Sequence, residues 1–194
     1  MKRGLIVWDK SEISPDVFAH RLEDVRRTLA KRGLPAAVVY SDLWRSNHAR
    51  FLSNYMPYFN RGLLIVPLEQ APTLLCGLSP RVYGWIRSVT TIDDVRPAKN
   101  FAPSLFDLAA ERHWSRIGIY DKEQLPYDIY HGIHKGPLDV VNIESMPLED
   151  EIEISMRRKA LGISKDILED EILGGLGGVD YELVGRLERR FRKA

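Results

Sequence analysis

Phe18, Leu22, Val25 and Leu29 recur at helical spacing, while Arg21, Glu23, Asp24, Arg26, Arg27, Lys31 and Arg32 take the other face. The pattern predicts an amphipathic helix. Ser14 and Pro15 mark its start. The serine can accept a backbone N–H, and proline suits the first helical position, where its missing N–H costs nothing. Gly33 fits the left-handed residue that ends a helix, and Pro35 forbids the helix from resuming. Ala36 to Tyr40 is then an unbroken apolar run, as expected of a strand covered on both faces.

The alternation continues. Gly62 to Leu68 and Thr73 to Cys76 read as strands joined through Glu69-Gln70-Ala71-Pro72, which suits a hairpin turn. Ser79-Pro80 opens a short helix carrying Val82, Trp85 and Ile86, and Val89 to Ile92 reads as a strand. Pro103 to Arg112 reads as a helix, Arg116 to Tyr120 as a strand, Lys122 to His134 as a helix with Pro126 either in its first turn or kinking it, and Leu138 to Ile143 as the last strand. Strands alternating with helices predict an α/β fold, and the early hairpin makes its sheet mixed, with flanking helices. After Pro147 the pattern turns purely helical. Ile152, Met156, Ala160, Ile163 and Ile167 form one stripe. Gly174-Gly175-Leu176-Gly177-Gly178 breaks it, and Tyr181, Val184, Leu187 and Phe191 form another. The expected organisation is an α/β domain over 1–147 and two C-terminal helices over 148–194. Their uncovered apolar faces predict a homodimer.

Composition narrows the function classes. A chain of 194 residues with 44% apolar and 28% charged residues can build a real core. Its net charge of +1 argues against a dedicated nucleic-acid or anionic-membrane binder. Cys76 is the sole cysteine, so no internal disulfide forms, and its apolar neighbours Leu74 and Leu75 predict a buried, inert thiol. The N-terminal apolar run is too short for a signal-peptide core, and no stretch approaches the length of a membrane span. A cytoplasmic location is the expectation.

Recognisable catalytic signatures are missing. No GxSxG elbow, HExxH helix or nucleotide-binding glycine loop occurs. His131 and His134, three apart, are too few ligands for a zinc centre. The segment Trp44 to Arg61 (WRSNHARFLSNYMPYFNR) concentrates Arg, His and aromatic residues between two apolar strands. It reads as a loop over a sheet end, either touching a ligand or partner or tucking its aromatics beneath it.

Two stretches carry a family resemblance. RLEDVRRTLAKRGLPAAVVYSD, followed by ARFLSNY, resembles the opening of the creatinase, prolidase and aminopeptidase P group of metallohydrolases. That opening pairs an R-x-x-x-x-R-x-x-L helix with a strand and a YLTGF-like stretch. Here Arg50 to Tyr55 occupies the place of that stretch, with Asn54 where the family usually has Gly. DEIEISMRRKA and GGVDYELVGRLERRFRKA are similar to the family's linker helix and the helix after it, with Val179-Asp180 replacing the usual Thr-Glu. The resemblance implies an N-terminal α/β domain that does not itself catalyse. Its implied roles are self-association and shaping the substrate entrance of a catalytic metallopeptidase domain or subunit, with Asp42, Trp44, His48, Phe59 and Arg61 as the contact residues. The family's two metals are held beyond the helix ending at Ala194, so no metal or other cofactor is expected in this chain. The other readings are an independent ligand- or protein-binding module of the same fold, and a fragment of an active metal-dependent Xaa-Pro dipeptidase or creatinase-type hydrolase.

Overall fold

A computed structural model describes residues 8–11, 13–57 and 59–144. In chain order the elements are α1 (Pro15–Arg32), β1 (Ala36–Ser41), α2 (Asn47–Ser53), β2 (Gly62–Pro67), β3 (Thr73–Cys76), α3 (Tyr83–Val89), β4 (Asp94–Pro97), α4 (Phe101–Glu111), β5 (Arg116–Tyr120), α5 (Tyr127–His134) and β6 (Asp139–Ile143). The helices expected over 148–194 lie outside the described residues.

The six strands form one sheet in the order β4-β3-β2-β1-β5-β6. β2 runs antiparallel to both its neighbours, while β1, β3, β4, β5 and β6 share one direction. The sheet is therefore mixed, as expected. Its two faces alternate along each strand. Ala36, Val38, Tyr40, Leu63, Ile65, Leu75, Ile117 and Ile119 face α4 and α5, where they meet Leu105, Leu108, Ile129 and Ile133. The opposite face is covered by α1 and α2, which contact β1, β2 and each other. The expected stripe Phe18, Leu22, Val25 and Leu29 is buried there.

The ends of α1 follow ordinary rules with one exception. Gly33 adopts φ 62°, ψ 37°, and Leu34 N donates back to Leu29 O at 2.9 Å, which satisfies the last carbonyls. The Ser14 side chain makes no capping bond. Its backbone carbonyl instead accepts from Val17 N at 3.1 Å.

Several expectations are corrected. Arg21 does not lie on the solvent face of α1. It is buried, its Nη1 donates to Phe51 O at 2.7 Å, and its guanidinium sits 4.0 Å from the Phe51 ring centroid. Arg26 reaches the hairpin turn instead, with Nη2 donating to Gln70 O at 2.8 Å. The two arginines of the R-x-x-x-x-R pattern thus tie α1 to α2 and to the β2–β3 turn. The segment after Trp44 is not all loop, because Ala49, Leu52 and Ser53 fall on one buried side of α2. Val89 to Ile92 is not a strand. Val89 ends α3, the Thr90 hydroxyl donates to Ile86 O at 2.9 Å, and the strand is the charged edge Asp94–Pro97. An edge strand with Asp94 and Arg96 on it carries no apolar run to betray it. Lys122 to His134 is two pieces, a 3-10 turn over Lys122–Gln124 and then α5, with Pro126 at the junction.

Candidate functional site

Because β2 alone is reversed, one edge of the sheet gathers the carboxyl ends of five strands and the start of β2. In open α/β sheets that edge is where ligands and partners meet the protein. All five sequence-predicted residues lie on it. Asp42 and Trp44 follow β1, His48 is in the first turn of α2, and Phe59 and Arg61 precede β2.

Four of the five are brought together. Asp42, Trp44, Phe59 and Arg61 line one shallow pocket of about 380 Å³ with Tyr40. Asp42 shapes the loop: its Oδ1 accepts from Trp44 N at 2.8 Å and Arg45 N at 2.7 Å, and its Oδ2 from the Tyr40 hydroxyl at 2.9 Å. Burial, followed by that hydrogen bond and the Asp42 charge, pushes the Tyr40 phenol well above its ordinary range. It therefore remains a neutral donor. Held this way, Trp44 is 86% exposed. Phe59 is 74% exposed and sits at φ 50°, a left-handed backbone that a bulky side chain rarely adopts. Arg61 Nη1 donates to Asp128 Oδ2 at 2.9 Å, and this bond, more than the charge alone, holds the guanidinium above its usual value.

His48 stands apart from that pocket's lining. Its Nε2 is 2.8 Å from Asp121 Oδ2, and Gln124 Nε2 is 3.0 Å from the same oxygen. A carboxylate only accepts, so Gln124 Nε2 donates to it. The same amide nitrogen also lies 3.2 Å from His48 Nε2, and the tautomer of the ring decides whether the ring nitrogen donates to Asp121 or accepts from Gln124. The His48 ring also packs edge-on against Tyr120, with centroids 4.9 Å apart. Asp121 itself sits at φ 46° just past β5, and its backbone N donates to Ile143 O at 3.0 Å. The cluster joins α2 to the ends of β5 and β6. Arg45 strengthens the same junction, with Nη1 donating to Gln124 O at 2.7 Å.

Sequence reasoning missed Tyr40, Asp121, Gln124, Tyr127 and Asp128. One available signal was position: Asp121 follows the strand RIGIY directly, so it had to fall at a strand's carboxyl end. Tyr127, 77% exposed, opens α5 at this same edge, and with Trp44 and Phe59 it completes the set of large exposed apolar side chains among the described residues.

Asn54, the departure from the family's glycine, occupies φ 60°, ψ 14° at the end of α2. That left-handed conformation is what a glycine would supply, and asparagine is the side chain that best tolerates it. The thiol of Cys76 is buried as expected, and burial raises its pKa. His131 and His134 stack on Tyr127 and Tyr130, with centroids 5.1 and 5.6 Å apart. Among the described residues no group of three or more His, Cys, Asp or Glu is placed to hold a metal ion. No helix among them is long and apolar enough to cross a membrane.

Comparison with known proteins agrees with this architecture. The Creatinase/Prolidase N-terminal domain model matches residues 21–153. Among solved structures, an Xaa-Pro dipeptidase from Bacillus anthracis superposes with TM-score 0.55 at 15% identity, covering 91% of this chain and 49% of that one. An aminopeptidase P (Xaa-Pro aminopeptidase) from Streptococcus thermophilus gives 0.54 at 14% identity, covering 70% and 98%. The N-terminal domain of the cytoplasmic peptidase PepQ from Mycobacterium tuberculosis H37Rv gives 0.52 at 19% identity, covering 69% and 98%. At such identities the likeness is one of fold, and this chain spans about half the length of the Bacillus anthracis dipeptidase. No curated protein matches it by sequence. Matched over more than half its length by that family model, the chain belongs to the creatinase/prolidase N-terminal domain family.

Proposed function

We propose that this chain is a non-catalytic module that associates with a second copy of itself through the carboxyl edge of its sheet. There it shapes the substrate entrance of an Xaa-Pro peptidase or creatinase-type catalytic domain. In this reading the protein is cytoplasmic, and water activation by metal belongs to the catalytic domain. One observation carries the reading: Trp44, Phe59 and Tyr127 are all exposed at that edge, around the Arg61–Asp128 ion pair. Aromatic and arginine side chains dominate the energetics of protein interfaces, and Trp44 and Phe59 already share one pocket with Arg61. The left-handed Phe59 adds to this, since backbone strain of that kind collects at functional positions.

Light scattering across a concentration series tests the proposal. The parent chain should reach twice the monomer mass, and the double variant Trp44→Ser, Phe59→Ser should stay monomeric with an unchanged circular dichroism spectrum. A parent that is monomeric at the highest concentration, or a double variant that associates as well as the parent, defeats it.

A further inference from the structure

A second pocket on the same edge shares Arg61 and Asp128 with the proposed association surface but is otherwise built from residues given no role above. It has a volume of about 510 Å³ and lies where β3 and β4 end, between the start of α4 and one side of α5. That volume is within the range of small-molecule sites, roughly 300–1,000 Å³. Its base is closed by backbone bonds, Gly77 N to Arg61 O at 3.1 Å and Ala98 N to Cys76 O at 2.9 Å. Those groups are satisfied, so side chains decide what the pocket accepts.

Two cations face it, Lys99 and Arg61, against one carboxylate, Asp128. Lys99 is exposed and forms no ion pair among the described residues. Arg61 gives Nη1 to Asp128 and keeps the rest of its guanidinium donors. Phe101, Ala102 and Ile129 supply an apolar wall, with Asn60 and Asn100 as neutral polar neighbours. We infer that this pocket binds a small organic carboxylate with an apolar body. Its carboxylate would sit between Lys99 and Arg61, and its body against Phe101 and Ile129. A planar monoanion matches the guanidinium fork. A dianion such as phosphate meets extra repulsion from Asp128 and gains nothing from the apolar wall.

The test is an amide NMR titration of the full isotope-labelled chain with phenylacetate, beside its neutral isostere phenylacetamide and inorganic phosphate. Phenylacetate should give saturating shifts at Gly77, Lys99, Phe101 and Gly132, with the other two compounds binding distinctly more weakly. Lys99→Gln should weaken phenylacetate binding about fivefold, the loss of one solvent-screened charge contact, and Lys99→Arg should restore most of it. Lys99 is on the surface, so neither variant disturbs the core. Shifts that do not saturate, shifts centred elsewhere, equal binding of phenylacetamide or phosphate, or a Lys99→Gln variant that binds like the parent would each overturn the inference.

Discussion

Asn54 allows a close test of how the family's glycine position works. Its backbone is left-handed at φ 60°, its N–H donates to Arg50 O at 2.8 Å, and its Nδ2 donates to Val89 O at 2.8 Å. Two separable terms follow. The side-chain bond crosses from α2 to the last residue of α3 and contributes about 1 kcal/mol. The left-handed conformation costs a Cβ-bearing residue without a polar side chain about 1 kcal/mol more than it costs glycine. Asn54→Gly should therefore lower stability by about 1 kcal/mol, for the lost bond alone. Asn54→Ala should lower it by about 2 kcal/mol, for bond and strain together. Urea unfolding of the full chain, with the denaturant slope checked for constancy, measures both. The predicted order is parent, then glycine, then alanine. An alanine variant as stable as the glycine variant would refute the strain term, and a glycine variant as stable as the parent would refute the bond.

Other consequences are equally specific. A Cβ on Gly136 would overlap the Phe106 ring, so Gly136→Ala should cost about 1–3 kcal/mol in urea unfolding. Phe106→Leu in the same chain should recover part of that loss. His48→Ala leaves the Asp121 carboxylate, 15% exposed, without its imidazole partner and should destabilise by about 2 kcal/mol. A double-mutant cycle with Asp121→Asn should then show coupling between the two positions. Asp94 is desolvated, which raises its pKa, but hydrogen bonds from Arg96 and Thr73 outweigh this and hold it below its ordinary value. A depressed folded-state pKa contributes stability that is present above the unfolded value and lost as pH falls through the folded one. Acid unfolding below pH about 4 should therefore be less steep in Asp94→Asn than in the parent.

Much of the architecture was legible because burial leaves a periodic trace. The stripe of α1, the apolar runs of β1, β2 and β3, and the Gly33 stop all reappear where the pattern put them. What escaped did so for physical reasons. β4 lies at the sheet's edge, and its Asp94 and Arg96 serve a charged network with Glu111, so its composition is polar. Arg21 looked like surface because a sequence pattern cannot show that a guanidinium will find a carbonyl and an aromatic face inside. α2 is only seven residues long, too short for its buried side to stand out among the surrounding aromatics. At the candidate site, clustering of unusual residues between two strands located Trp44, His48, Phe59 and Arg61. The partners of His48 and Arg61, namely Asp121, Gln124 and Asp128, come from more than 60 residues further along, with separations of 67 for Arg61–Asp128 and 73 for His48–Asp121. Only the parallel pairing of β1 with β5 brings them to the same edge.

Hydroxyl-radical footprinting read by mass spectrometry tests the central claim, that this aromatic edge is the surface of association. Labelling of the parent chain is compared between dilute and concentrated samples, with Trp114, just before β5 at the opposite edge of the sheet, as the internal reference. The account predicts that concentration suppresses labelling at Trp44, Phe59 and Tyr127 and leaves Trp114 unchanged. Association with those three residues still fully labelled, or protection confined to another surface, would contradict it.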